Sequence, residues 1–144
     1  MKKIIVFFLV FTNCSIALSS SESGDSTTTT SVELTKCEKL ELEYTNLSNK
    51  LFNTSFELNT FIDDISPGSV DEDRTYFFEN LDKNWNYQEI YLNYLEVRFE
   101  VYSKINALYA NNTECPISGD QEISLEQVDL AKSDLEEFKK KYNN

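Results

Sequence analysis

Two kinds of residue in this 144-residue chain are spaced for covalent chemistry. Cys37 and Cys115 stand 78 positions apart. Of four Asn-x-Ser/Thr sequons, Asn13-Cys-Ser15 lies in the N-terminal apolar segment and does not count, and three begin at Asn46, Asn53 and Asn111. The first pair suits a disulfide, and the sequons suit N-glycosylation. Both chemistries belong to an oxidising, secretory environment. A third cysteine, Cys14, decides how the first pair is read.

Cys14 falls in Met1–Ser19, which has the layout of a secretory signal peptide. Lys2 and Lys3 are basic, Ile4 to Phe11 is unbroken apolar, and Ser15-Ile-Ala17 or Ala17-Leu-Ser19 offers a cleavage site. The apolar run is shorter than the roughly 20 residues that span a bilayer. Cleavage removes Cys14 and leaves an even pair, so an intramolecular Cys37–Cys115 bridge is expected. Two separate thiols or a bridge between chains are the alternatives. A competing reading starts from Phe11-Thr-Asn-Cys14, which loosely resembles a bacterial lipoprotein signal. Lipidation at Cys14 would anchor the protein to a membrane surface.

Composition narrows the chemistry further. Histidine is absent, so neither a Ser-His-Asp nor a Cys-His nucleophile can be assembled. Three glycines are too few for a phosphate-cradling loop. Asp63-Asp64, Asp71-Glu72-Asp73 and Glu136-Glu137 read as surface or helix-end acids. Asp71-Glu72-Asp73 lacks the glycine and twelfth-position Glu of a calcium loop. No enzyme activity, cofactor or metal is expected. The net charge is −12, and excision of Lys2 and Lys3 makes it more negative. Such a surface repels nucleic acid and anionic lipid.

The elements that must position these residues are helical. Residues 20–31 follow the signal as a Ser/Thr-rich segment with nothing to bury, expected to be disordered. In 32–144, Cys37, Leu40, Tyr44, Leu47, Leu51, Thr54, Leu58, Phe61 and Ile65 alternate in steps of three and four, a coiled-coil-like seam. Ser66-Pro67-Gly68 should end this helix. A capping pattern at Ser69–Glu72 starts the next. One stripe then runs Phe78, Leu81, Trp85, Gln88, Leu92, Leu95, Phe99, Tyr102. A second runs Tyr87, Tyr91, Tyr94, Val101, Ile105, Leu108, so this segment should lie centrally and touch more than one neighbour. A last helix should open at the capping box Ser124–Gln127, flanked by the apolar pair Ile123 and Val128. It buries Val128, Ala131, Leu135, Phe138 and Tyr142, and Lys139–Lys141 suit its C-terminal dipole.

The disulfide constrains these lengths. Cys37 is about 29 residues from the first turn, whereas Ser69 to Ala110 is 42 residues. The excess corresponds to roughly 20 Å of helix, but a disulfide tolerates only about 4.4–6.8 Å between Cα atoms. The second segment should therefore break in the Asn- and Asp-rich stretch Asn80–Asn86. The alternative is one unbroken, overhanging helix with the cysteines unpaired or paired between chains. The expected fold is all-α: an antiparallel bundle of three main helices plus a short connector (70–81), pinned by one disulfide.

Ten aromatic residues crowd positions 76–109. They exceed what a small core can bury, and Tyr76, Trp85, Tyr87 and Tyr94 are the candidates for a partner-binding surface. The function expected is that of a small secreted interaction protein, such as an extracellular ligand, an adhesion or reproductive factor, or an effector. It would bind an extracellular or cell-surface protein, with no transmembrane segment in the mature chain. The alternatives are an extracellular carrier holding a small hydrophobic ligand between helices, and self-association through the first seam.

Overall fold

A computed structural model describes residues 33–65, 70–116 and 121–142, without the side chains of 70–72. The expected signal peptide, the Ser/Thr-rich segment, the Ser66–Gly68 stop and, of the Ser69–Glu72 cap, Ser69 and the capping side chains lie outside what is described. The chain forms α1 (Lys36–Ile65), α2 (Val70–Asn80), α3 (Trp85–Ala110) and α4 (Leu125–Tyr142). A short 3-10 turn, Leu81–Lys83, separates α2 from α3. No strand occurs among the described residues.

The predicted break is present, and its hydrogen bonds explain it. Asn84 is extended at φ −133°, and its Oδ1 accepts from the Asn86 amide to cap α3. Gln88, a polar member of an otherwise apolar stripe, donates from Nε2 to the Leu81 carbonyl at 2.9 Å. It thereby satisfies a backbone acceptor that a continuous helix would have used. With the break in place, α1 and α3 are 30 and 26 residues long. Cys37 and Cys115 then meet with their Cα atoms 5.5 Å apart, in a disulfide.

The helix starts follow local chemistry. Ser124 and Gln127 form the expected reciprocal cap, Ser124 N–H to Gln127 Oε1 at 2.9 Å and Gln127 N–H to Ser124 Oγ at 3.3 Å. A second such box opens α1. The Glu38 amide donates to Thr35 Oγ1, and the Thr35 amide donates to the Glu38 carboxylate at 2.7 Å. Hydrogen bonds to the Glu38 carboxyl from the Thr35 amide and then the Thr35 hydroxyl hold it below its usual range. The sequence signal was present in Thr35-Lys-Cys-Glu38 but was masked by the stronger seam beginning at Cys37.

Helix α3 is central. It packs along both α1 and α4, whereas direct α1–α4 packing is slight. Toward the disulfide, Leu40 and Leu47 of α1 cluster with Val97, Val101, Ile105 and Tyr109 of α3. At the other end, Leu58, Ile62, Phe77, Leu81, Tyr87 and Leu95 join Leu135 and Phe138 of α4. Glu100 ties α1 to α3 by accepting from Lys50 at 2.6 Å, and it also accepts from Lys104 one turn along α3 at 2.6 Å. Arg98–Asp134 (2.8 Å) and Lys139–Glu96 (2.6 Å) tie α3 to α4. Asp82 accepts from Tyr142 and Lys141 where α4 ends.

Three expected faces are corrected. On α1 the seam ends on Ile62, buried more deeply than Phe61 or Ile65. A repeat of 3.5 drifts about 20° per heptad on a straight helix of 3.6, which advances the contact row after four heptads. On α2 the inward residue is Phe77, fully buried, while Phe78 is half-exposed. Asp73, Phe77 and Leu81 share the buried face, so Asp73 is not the surface acid expected. On α3 Trp85 is 69% exposed rather than in the stripe. The 3-10 turn winds three residues per turn, which resets the phase on which a continuous stripe depended.

Phe77 is the hub of the aromatic core. Its ring lies 5.2–6.4 Å from those of Phe61, Phe78, Tyr87 and Tyr91. Phe77→Ala should lower the unfolding free energy by about 3–5 kcal/mol. Phe78→Ala, at a half-exposed ring, should lower it by about 1 kcal/mol. Urea denaturation of the two variants should reproduce that order, and equal losses would remove Phe77 as the hub. The disulfide closes a 78-residue separation, so its reduction should cost up to about 4–5 kcal/mol in the chain-entropy picture. The check is the difference in urea midpoint between oxidised protein and the Cys37→Ser/Cys115→Ser variant.

Glu100 supplies a pH signature. Hydrogen bonds from Lys104 and then Lys50 hold its pKa down at about 2. A depressed carboxylate stabilises the fold above its unfolded pKa, and the contribution disappears as pH falls through the folded value. NMR titration should place the Glu100 midpoint near 2 and return it toward 4.5 when Lys50 and Lys104 are both replaced by Met. An unshifted midpoint in the native protein would contradict the bridge.

Candidate functional site

The four aromatic residues nominated from sequence separate in space. Trp85 and Tyr76 are exposed, at 69% and 43%. Tyr94 is half-buried, and its ring stacks at 6.1 Å on that of Tyr91. Tyr87 is a correction: it is buried, stacked on Phe77 at 5.3 Å and edge-on to Phe61 at 5.4 Å. Burial also raises its hydroxyl pKa. It belongs to the core because α3 begins at Trp85, which puts position 87 on the α1–α2 side.

Sequence reasoning missed two other aromatic residues. Phe52 and Phe56 of α1 are 63% and 62% exposed, and their rings stack at 6.4 Å, one helical turn apart. They lie outside the seam, on either side of the sequon residue Asn53. The available signal was two phenylalanines at i, i+4 on a face opposite an already complete apolar seam. The sequon residues Asn46, Asn53 and Asn111 are exposed. Asn53 is three residues from Phe56, so a glycan there would border the pair. Asn111 caps α3, its Nδ2 donating to the Ala107 carbonyl at 2.8 Å.

Beside Phe52 and Phe56 runs a groove of about 310 Å³. Ser55, Leu58, Asn59 and Ile62 of α1 form one wall, and Arg74 and Phe78 of α2 form the end. Tyr91, Tyr94 and Arg98 of α3 form the other wall. Ser55 and Asn59 lie three residues beyond Phe52 and Phe56, so the stacked pair and the groove share neighbouring rows of α1. The aromatic wall is rigid: Phe78 meets Tyr91 edge-on at 5.4 Å, and Tyr91 stacks on Tyr94. Burial, with Tyr94 and Asp134 nearby, raises the Tyr91 pKa, so its hydroxyl is a neutral donor at physiological pH.

Arg98 is held in place. Its Nη1 donates to Asp134, and its guanidinium sits 5.6 Å from the Tyr102 ring centre. A guanidinium carries five N–H donors, and this contact uses one. Burial opposes its charge, but the Asp134 bond with Tyr94 and Tyr102 close by outweighs that and leaves it firmly protonated. Arg74 is exposed.

No group of His, Cys, Asp or Glu among the described residues is arranged to hold a metal ion. No described helix is long and apolar enough to cross a membrane. Fold and site together define a disulfide-pinned, all-α bundle with an aromatic patch beside a groove. The chain matches no protein-family model, no curated protein and no solved structure.

Proposed function

We propose that this is a small secreted interaction protein that binds an extracellular or cell-surface protein without catalysing a reaction. Its contact face is the outer side of α1 around Phe52 and Phe56. The observation that carries this is the stacked Phe52–Phe56 pair, left in water by a chain that buries Phe77, Leu95 and Val101 almost completely. Large rigid aromatics that the fold does not use are the usual anchors of protein interfaces. Exposed Tyr76 and Trp85 add area of the same kind. The Cys37–Cys115 disulfide supports an oxidising compartment, as the Met1–Ser19 signal pattern does. The grooves between helices open to solvent and mix polar with apolar lining, which favours this reading over a carrier with an enclosed apolar cavity.

The test is the double variant Phe52→Ser/Phe56→Ser. Its thermal midpoint should stay within a few degrees of wild type, because exposed substitutions cost about 0.5 kcal/mol or less. Labelling of a surface protein by a proximity-tagged copy should fall by about tenfold or more. Undiminished labelling would refute the assignment. Light scattering that showed the pair to hold two copies together would refute it in favour of self-association.

A further inference from the structure

The groove beside Phe52 and Phe56 has a charge opposite to that of the whole molecule. The chain has 25 acidic residues and a net charge of −12, yet among the described residues no carboxylate lines this groove. Arg74 and Arg98 are the only two arginines in the sequence, and both line it. Three other grooves each include an acid: Glu41, Glu122, or Asp134 with Glu137. All other basic residues are lysines, and those paired across the bundle hold helices together. Arginine, unlike lysine, offers a planar fork that matches tetrahedral oxyanions.

We infer that the groove binds an aryl oxyanion, a tyrosine ring of the partner esterified by sulfate or phosphate. This rests on the interaction reading for the source of the ring. Arg98, anchored from behind by Asp134, and Arg74 at the rim supply the fork donors. Phe78, Tyr91 and Tyr94 supply an aromatic wall for the ring. The Ser55 hydroxyl already donates to the Leu51 carbonyl at 2.8 Å, so it can offer a lone pair but not a proton. The donors for the oxyanion are therefore the two arginines, the Asn59 amide and the Tyr91 and Tyr94 hydroxyls. The volume of about 310 Å³ lies at the lower end of small-ligand sites, the size for one substituted ring. A field of negative surface around a positive groove excludes ordinary acidic peptides at long range. A sulfate ester, with one negative charge, or a phosphate ester, with up to about two, meets two guanidinium groups there, that of Arg98 already paired on one side with Asp134.

The experiment titrates the full mature chain with short peptides carrying sulfotyrosine, phosphotyrosine or plain tyrosine, and with inorganic phosphate, following the arginine Nε and tyrosine ring NMR signals. At least one modified peptide should bind about tenfold more tightly than the plain one, and more tightly than phosphate. Which modified peptide binds better identifies the ester. Arg74→Gln, at an exposed position, should reduce that affinity about tenfold with an unchanged thermal midpoint. Lys132→Gln, outside the groove, should not. Arg98→Lys keeps the charge beside Asp134 but loses the fork, and should weaken binding similarly. Equal binding of plain and modified peptides, binding that survives Arg74→Gln, or phosphate binding as tightly as the peptides would each overturn the assignment. If the peptides fail while the Phe52/Phe56 variant still loses its partner, the groove falls and the interaction reading stands. If the peptides bind and the double variant keeps its partner, the groove stands and the placement of the contact face fails.

Discussion

The rest of the fold follows from a length match. A disulfide between the start of α1 and the residues just past α3 can form only if the two helices cover nearly the same distance. The chain between the first turn and Ala110 is too long for that by about 13 residues, and so it breaks. The break is made by Asn84 as a cap and by Gln88, which reaches back to the Leu81 carbonyl. What remains, α2 with its 3-10 turn, is a short connector packed against α1. Phe77 is inserted there between α1 and α3.

That insertion divides the interior into two regimes. Toward the disulfide, α1 meets α3 through aliphatic side chains, with Tyr44 and Tyr109 at 6.0 Å, the packing of an antiparallel pair. Toward the connector, the interior is a continuous network of rings from Phe61 through Phe77 and Tyr91 to Phe138 and Tyr142. Because α1 and α4 meet little directly, this network carries much of the cohesion between the two sides of α3. The ion pairs that lace the surface are mostly exposed, so they orient helices more than they stabilise them.

The same connector makes the groove. Without α2 packed against α1, Arg74 and Phe78 would not share a groove with Tyr94 and Arg98. A short helix that corrects a length mismatch thus also brings the chain's two arginines into one groove. The stacked phenylalanines on the neighbouring row of α1 extend that groove into a face that combines apolar area with localised positive charge.

Local sequence determined a good deal. The seams of α1 and α4, the Ser124–Gln127 cap, the Cys37–Cys115 pairing and the position of the break were all legible. Each depends on periodicity, composition or length within a continuous stretch. Only the tertiary structure decided that Phe77 rather than Phe78 points inward, that of Trp85 and Tyr87, each read both as stripe and as surface candidate, Trp85 faces water and Tyr87 is core, and that Arg74 shares a groove with Arg98. The physical reason is phase. Within one helix, the spacing of residues states which side chains share a face. Across a 3-10 turn and from one helix to the next, the rotation between faces is set by packing, so no count along the sequence can recover it.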